Sequence, residues 1–215
     1  MRSRAVRCLL AEDGSGPRGY ALYSGVDHWT DSLPENVLTV RELIAVDPAA
    51  SAMLWADLLS RDLTSEFHVG RRPVDDPLLY QLADPRRARP QLTDGLWVRI
   101  IDVPAALAGR RYSCPVDMVI EVRDDLLPSN AGRWRLTTTG DGPVGGSGLA
   151  ASCVPATSAA DLALHVTELG AAYLGGTRLG ALAGAGLVAE LRPGAVRQLS
   201  AALSWDPAPW CPLIF

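Results

Sequence analysis

The 215-residue sequence predicts an α+β protein of two half-sized domains, a mixed sheet with helices followed by an antiparallel sheet with short helices. Short apolar runs of strand length recur along the chain between Gly- and Pro-containing turns. Stretches with an apolar spacing near 3.6 lie among them. The rhythm changes within Asp94–Tyr112, where an apolar run, Leu96 to Ile101, leads into a helix started by Pro104, whose fixed φ suits a first turn. This seam divides residues 1–103 from 104–215, and each half is large enough to bury a modest core.

Composition narrows the class. Hydrophobic residues make up 48% and charged residues 20%, as in a globular protein, and no run approaches the length of a membrane span. The net charge of −4 gives no electrostatic reason to expect nucleic acid. All 20 basic residues are Arg, which removes lysine Schiff-base and lysine general-base chemistry. Cys8, Cys114, Cys153 and Cys211 lack metal-site or redox spacing, so neither a metal nor a redox motif is indicated. Reduced, mostly buried thiols are expected, although the even count permits a disulfide. The basic start has too short an apolar run for a signal peptide, which leads to an expected cytoplasmic location.

In the first half, Val6–Ala11 and Tyr20–Val26 read as a hairpin across a Gly/Pro turn. Val37–Val46 reads as a central strand. Asp47 is placed to cap a helix over Ala49–Ser60 whose buried stripe is Met53, Leu54 and Leu58. A strand over Thr64–Arg71, a short helix over Asp75–Leu82 and a last strand over Leu96–Ile101 complete it.

In the second half, Asp117–Arg123 alternates Met118, Ile120 and Val122 with Asp117, Glu121 and Arg123. Arg133–Thr139 turns Trp134 and Leu136 inward. Gly140–Gly148 is a glycine-rich connection rather than a phosphate loop, because no Lys-Ser/Thr ends it and no helix follows. Leu149–Val154 and Asp161–Thr167 are the next strands, the latter with His165 on its outer face. Helices follow near Thr167–Leu174, Leu179–Ala185 and Gly194–Ser204, the last with Val196, Leu199 and Leu203 buried. The tail, Trp205-Asp206-Pro207-Ala208-Pro209-Trp210-Cys211-Pro212-Leu213-Ile214-Phe215, is stiff and too apolar to fray.

The strand, long strand, helix, strand order of the first half resembles the later part of a GNAT acetyltransferase. A working GNAT site cradles the coenzyme A pyrophosphate with backbone N–H groups of a glycine-containing turn and the helix that follows. Here that turn is Val46-Asp47-Pro48-Ala49-Ala50-Ser51-Ala52-Met53, with no glycine, no arginine and an acid at its start. No acetyl-CoA binding is expected from it.

Gly19-Tyr20-Ala21-Leu22-Tyr23, Val40-Arg41-Glu42-Leu43, Asp76-Pro77-Leu78-Leu79, Leu82-Ala83-Asp84-Pro85-Arg86, Asp94-Gly95-Leu96-Trp97-Val98-Arg99, Asp102-Val103-Pro104-Ala105-Ala106-Leu107, Tyr173-Leu174-Gly175-Gly176 and the Phe-terminated tail together resemble the Eis family of N-acetyltransferases. The resemblance implies a degenerate central GNAT region, incomplete at its N-terminus, and a sterol-carrier-protein-like second domain. In that family an N-terminal GNAT domain binds acetyl-CoA, and acetylation falls on amines such as aminoglycosides. It also implies that Phe215 supplies a C-terminal carboxylate as base, with Trp210 and Ile214 beside the ligand. Ile214 stands where relatives often carry an acid.

Three functions follow as expectations. The chain supplies the acceptor-amine side of an enzyme whose acetyl-CoA domain is a separate partner; it is a stand-alone module for an apolar or amphipathic small molecule; or the pocket serves other small-molecule biosynthesis. Self-association is expected from apolar surface left uncovered. Of the weaker candidates, Arg71-Arg72 and Arg86-Arg87-Arg89 read as solvated or carboxylate-paired and Asp75-Asp76 as a helix cap. His28 is the histidine worth testing.

Overall fold

The computed structural model describes residues 5–31, 33–139 and 148–213. The chain divides into two compact units, one of residues 1–95 with 210–215 and one of residues 96–209.

In the first unit β1 (Arg7–Asp13) and β2 (Gly16–Val26) form the expected hairpin, and β2 pairs antiparallel with β5 (Asn36–Ala45). Between them lies a ribbon of two short strands, β3 (Trp29–Thr30) and β4 (Leu33–Pro34). Gly19 allows β2 its close approach to β5, since a Cβ there would lie 2.7 Å from the Ile44 carbonyl oxygen. From β5 the chain crosses through α1 (Pro48–Leu59) to β6 (Thr64–Val69), which pairs parallel to β5 and gives the mixed order β1-β2-β5-β6. A helical crossover is the connection that a parallel pair requires.

Helix α1 buries Ala50, Leu54, Trp55 and Leu58 against Ala21, Tyr23, Leu38, Val40 and Leu43. Met53, expected in this stripe, is 60% exposed. The buried face is centred on Ala50, Leu54 and Leu58, and the Trp55 ring widens it on the side away from Met53. The helix expected over Asp75–Leu82 is the single turn α2 (Leu78–Gln81), followed by a 3-10 turn at Pro85–Ala88.

In the second unit α3 (Val103–Gly109) starts at Asp102, whose carboxylate accepts from the Ala105 amide at 2.9 Å. The sheet that follows contains β7 (Asp117–Arg123), β8 (Gly132–Thr139), β9 (Ala150–Pro155), β10 (Leu162–His165) and β11 (Val188–Glu190). Its order is β11-β10-β7-β8-β9. It is mixed rather than antiparallel throughout, because the connection after β9 carries the chain past β8 to the far side of β7, where β10 pairs parallel. Helices α4 (Val166–Tyr173), α5 (Leu179–Gly184) and α6 (Ala195–Leu203) complete the unit. Met118, Ile120, Val122, Leu136, Leu162, Leu164, Leu169 and Leu199 lie in its core.

Two expected strands are corrected in this unit, which takes in Leu96–Ile101 from the first half of the sequence. The strand expected over Asp161–Thr167 ends at His165, which caps α4: its Nδ1 accepts from the Thr167 amide at 3.3 Å while Glu168 accepts from the His165 amide at 3.2 Å. This reciprocal cap turns a strand into a helix at one residue. The strand expected over Leu96–Ile101 does not form; the segment joins no sheet, with Ile100 buried and Trp97 82% exposed. Side-chain and packing contacts hold it in place of a ladder. The Val98 carbonyl oxygen lies 2.8 Å from where a Cβ at Gly170 would stand, so α4 can approach it only through glycine.

Asp124 ties the segment down. Its carboxylate accepts from Arg99 at 2.7 Å, from the Leu126 and Leu127 amides at 3.0 Å and from Asn130 Nδ2 at 2.9 Å. Asn130 in turn donates to the Ile100 carbonyl at 3.3 Å and accepts from the Val103 amide at 2.9 Å. Burial alone would raise the Asp124 carboxyl, but Arg99, the two amides and Asn130 together hold it well below the usual carboxylate range.

The depressed carboxyl contributes stability that is fully present above the unfolded value near ~3.9 and is lost as pH falls toward the folded one. Asp124→Asn should therefore lower stability at neutral pH and flatten the acid limb below about pH 4 in thermal melts taken against pH. Leu164→Ala, fully buried in the same core, should cost about 2–5 kcal/mol by denaturant titration.

Candidate functional site

Two places in the first unit bear on chemistry: the turn before α1 and the point where the tail meets β6. At the turn, Asp47 has extended backbone, and its Oδ1 accepts from the Ala50 amide at 2.8 Å. Arg18, on β2, reaches the other carboxylate oxygen at 2.5 Å. The Ala50 amide and then the Arg18 guanidinium hold the Asp47 carboxyl below its usual range, against a smaller opposing effect of burial. A helix N-terminus attracts anions. Here the protein's own carboxylate takes that role, and the nearby guanidinium is paired with it. These residues do not fit a coenzyme A pyrophosphate.

At the tail, Trp210 Nε1 donates to the Arg71 carbonyl at 2.7 Å. Arg71 follows β6 with a left-handed backbone, φ 53°, rare for a residue other than glycine. The Trp210 ring lies over the Arg72 guanidinium at 5.7 Å, and the Trp55 ring of α1 approaches the same guanidinium at 5.8 Å. Arg72 also donates to the Leu43 carbonyl at 2.7 Å and pairs with the buried carboxylate of Asp76. Asp76 accepts from the Leu78 amide at 2.9 Å, a capping role as expected. Trp210, proposed from the sequence as a ligand contact, is thus bound to a backbone carbonyl and a guanidinium of its own unit. Phe215 and Ile214 lie outside the described residues.

Sequence reasoning left Arg72 among charges expected to be solvated or paired, and it did not single out Trp55. Arg71 and Trp210 are 139 positions apart, a separation no local pattern bridges. The other candidates are dispersed. His28 contacts the Thr30 hydroxyl at 3.3 Å and lies 3.8 Å from Glu35 on an exposed loop. Arg86 and Arg87 sit on the exposed 3-10 turn, with Arg89 just after it.

The four thiols are free, and only Cys153 is buried, which corrects the expectation of mostly buried cysteines. Burial pushes the Cys153 thiol up to about 11, far from a reactive thiolate at neutral pH. Among the described residues no group of three His, Cys, Asp or Glu side chains could hold a metal, and no helix is long and apolar enough to cross a membrane.

Comparison with known proteins places this geometry. An acetyltransferase (GNAT) domain family matches residues 1–100, and a sterol carrier protein domain family matches residues 103–212. Eis1 from Mycobacterium abscessus superposes with a TM-score of 0.74 at 35% identity, over 92% of this chain and 48% of that one. The chain belongs to the Eis-like N-acetyltransferase family. An uncharacterized N-acetyltransferase of Streptomyces coelicolor is 44% identical over 96% of this chain and 48% of its own length. The N-acetyltransferase Eis of Mycobacterium tuberculosis is 36% identical over 88% of this chain and 43% of its own. The chain thus spans about half the length of the curated relatives it matches.

Removing the capping carboxylate in Asp47→Ala should free the first amides of α1 without creating a cofactor site. Hydrogen exchange at Ala49, Ala50 and Ser51 should quicken by roughly fivefold, with the core of α1 unchanged.

Proposed function

We propose that this Eis-like chain supplies the acceptor-amine side of an N-acetyltransferase, with the acetyl donor held by a separate GNAT region. The observation that carries this reading is Asp47: the helix terminus from which a GNAT fold would hold coenzyme A is capped by an acid and paired with Arg18. The relatives matched are about twice as long, which supports a second region of the same family as the partner.

In this reading the Phe215 α-carboxylate draws a proton from the substrate ammonium. A carboxylate suits that role because it first attracts the cation electrostatically and then accepts its proton, provided the pocket adjusts its affinity for the proton. Ile214 adds no second acid, so attraction for a polycation rests on the terminal carboxylate and its neighbours. Exposed Leu10, Val46 and Met53 on the first unit support an interface, with a partner region or a second copy of the chain.

One observation favours a second reading, a small-molecule module. In the second unit an open groove of about 490 Å³ is lined by Gly180, Ala183, Val196 and Ala201, with Arg178, Arg197 and Glu190 beside them. An apolar floor with charged groups of both signs at its rim suits an amphipathic small molecule.

The two readings separate in one assay. The purified chain should show no acetyl transfer to spermidine or an aminoglycoside by itself. It should gain turnover when mixed with the N-terminal half of an Eis relative, and lose at least tenfold of that turnover when Phe215 is deleted. Turnover by the chain alone would contradict the proposal, and no turnover in the mixture would favour the module.

A further inference from the structure

The charged residues of β7 share one face of the second sheet, and its acids are paired across to β8, Asp117 with Arg135 and Glu121 with Arg133, each at 2.8 Å. Arg123, the last residue on that face, reverses the sign and has no hydrogen-bond or ion-pair partner among the described residues. In register with it stands His165, the last residue of the parallel neighbour β10. From there β7 runs into the turn that Asp124 anchors and β10 into α4. A pocket of about 310 Å³ opens at this point, lined by Arg123, Asp125, His165, Glu168, Gly186 and Leu187.

The His165 ring brings an unused donor to the pocket. Its Nδ1 accepts from the Thr167 amide at 3.3 Å and lies 2.9 Å from the Thr167 hydroxyl, so the ring proton sits on Nε2. That Nε2 atom is buried and makes no hydrogen bond; a carboxylate oxygen of Asp125 lies 3.5 Å away without closing one. A buried N–H left unpaired costs free energy, which an acceptor on a ligand recovers. The walls are set in advance. Asp124 takes the Leu126 and Leu127 amides, so Asp125 stands exposed on a fixed turn. Glu168 is held through one oxygen by the His165 amide, and the half-exposed Leu187 is held by its own amide on the Leu182 carbonyl at 2.9 Å.

We infer that this pocket binds a small aliphatic α-amino acid as its zwitterion. The ligand carboxylate accepts from the Arg123 guanidinium and from His165 Nε2–H, its ammonium donates to the Asp125 and Glu168 carboxylates, and its side chain lies against Leu187. The pattern of signs decides the class of ligand. A simple anion meets two carboxylates and a simple amine meets the guanidinium, whereas a molecule carrying both charges answers each side. The pocket shares no lining residue with the open groove beside α5 and α6, and it does not depend on the acetyl-transfer reading.

The chain has three histidines, His28, His68 and His165, so ¹⁵N-histidine labelling reads the ring nitrogens of His165 beside two exposed controls. Above neutral pH the free chain should show His165 as the Nε2–H tautomer. L-Leucine should shift its ring signals saturably, with a dissociation constant on the order of 1 mM, and leave His28 and His68 unmoved. 4-Methylpentanoate, which lacks the amine, and isoamylamine, which lacks the carboxylate, should each bind at least about tenfold more weakly. Arg123→Gln and Asp125→Asn, both at exposed side chains, should each weaken leucine binding by a similar factor. The His165 tautomer should stay unchanged in both, which separates loss of the site from loss of the fold. The assignment is overturned if leucine leaves the His165 signals unmoved up to roughly 20 mM, if either singly charged analogue binds as tightly as leucine, or if either variant keeps the wild-type affinity.

Discussion

The β5–α1–β6 crossover of the first unit depends on the Asp47 carboxylate. Pro48 sets the first turn of α1, and Asp47 satisfies the Ala50 amide. Arg18, on β2, reaches the same carboxylate. The helix then lies over β1, β2 and β5 with Leu54, Trp55 and Leu58 buried. An acid in this position serves the fold and opposes an anionic ligand for the same reason, since one helix terminus has one set of orphan amides to give. Stability and the expected loss of cofactor binding thus rest on a single residue. Acid titration acts on it in a known direction: a carboxyl depressed in the folded state stabilises above its unfolded value near ~3.9 and ceases to do so as pH falls below it.

The second unit is organised around another carboxylate. Asp124 and Asn130 together satisfy the polar groups of a segment that has no strand partner, from Arg99 to the Val103 amide. A buried acid is tolerable there because each of its oxygens is occupied, by a guanidinium, two amides and a side-chain amide. The same segment packs its Val98 carbonyl against Gly170 of α4, so the glycine and the acid solve one problem from two sides. Neither unit places its polar network by chance of surface pairing. In both, a carboxylate anchors the start of a helix or the seam beside it.

Much of the fold was legible because periodicity is local. The hairpin, the central strand, the capped helix and the alternating strands of the second sheet all follow from residues within ten positions of one another. Failures arose where tertiary contacts decided. Leu96–Ile101 has the alternation of a strand, yet Gly170 and the Asp124 network hold it as an unpaired segment. Asp161–Thr167 carries strand residues to its end, yet the His165 and Glu168 cap starts a helix inside it. Met53 lies outside the buried stripe because that face runs through Ala50, Leu54 and Leu58 toward Trp55, on the side away from Met53. The candidate site was legible only in part. The acid in the α1 turn could be recognised from one short motif, whereas Arg72 meets Trp210 from the far end of the sequence, and only the fold brings them together.

The most direct test of the account is equilibrium binding of acetyl-CoA to the purified chain by titration calorimetry at neutral pH. With the α1 terminus capped by Asp47 and Arg18 paired to it, no binding heat is expected up to millimolar ligand, on the order of a dissociation constant weaker than 1 mM. Saturable binding on the order of micromolar would contradict the account, because it would require a pyrophosphate to be held by residues assigned here to the scaffold.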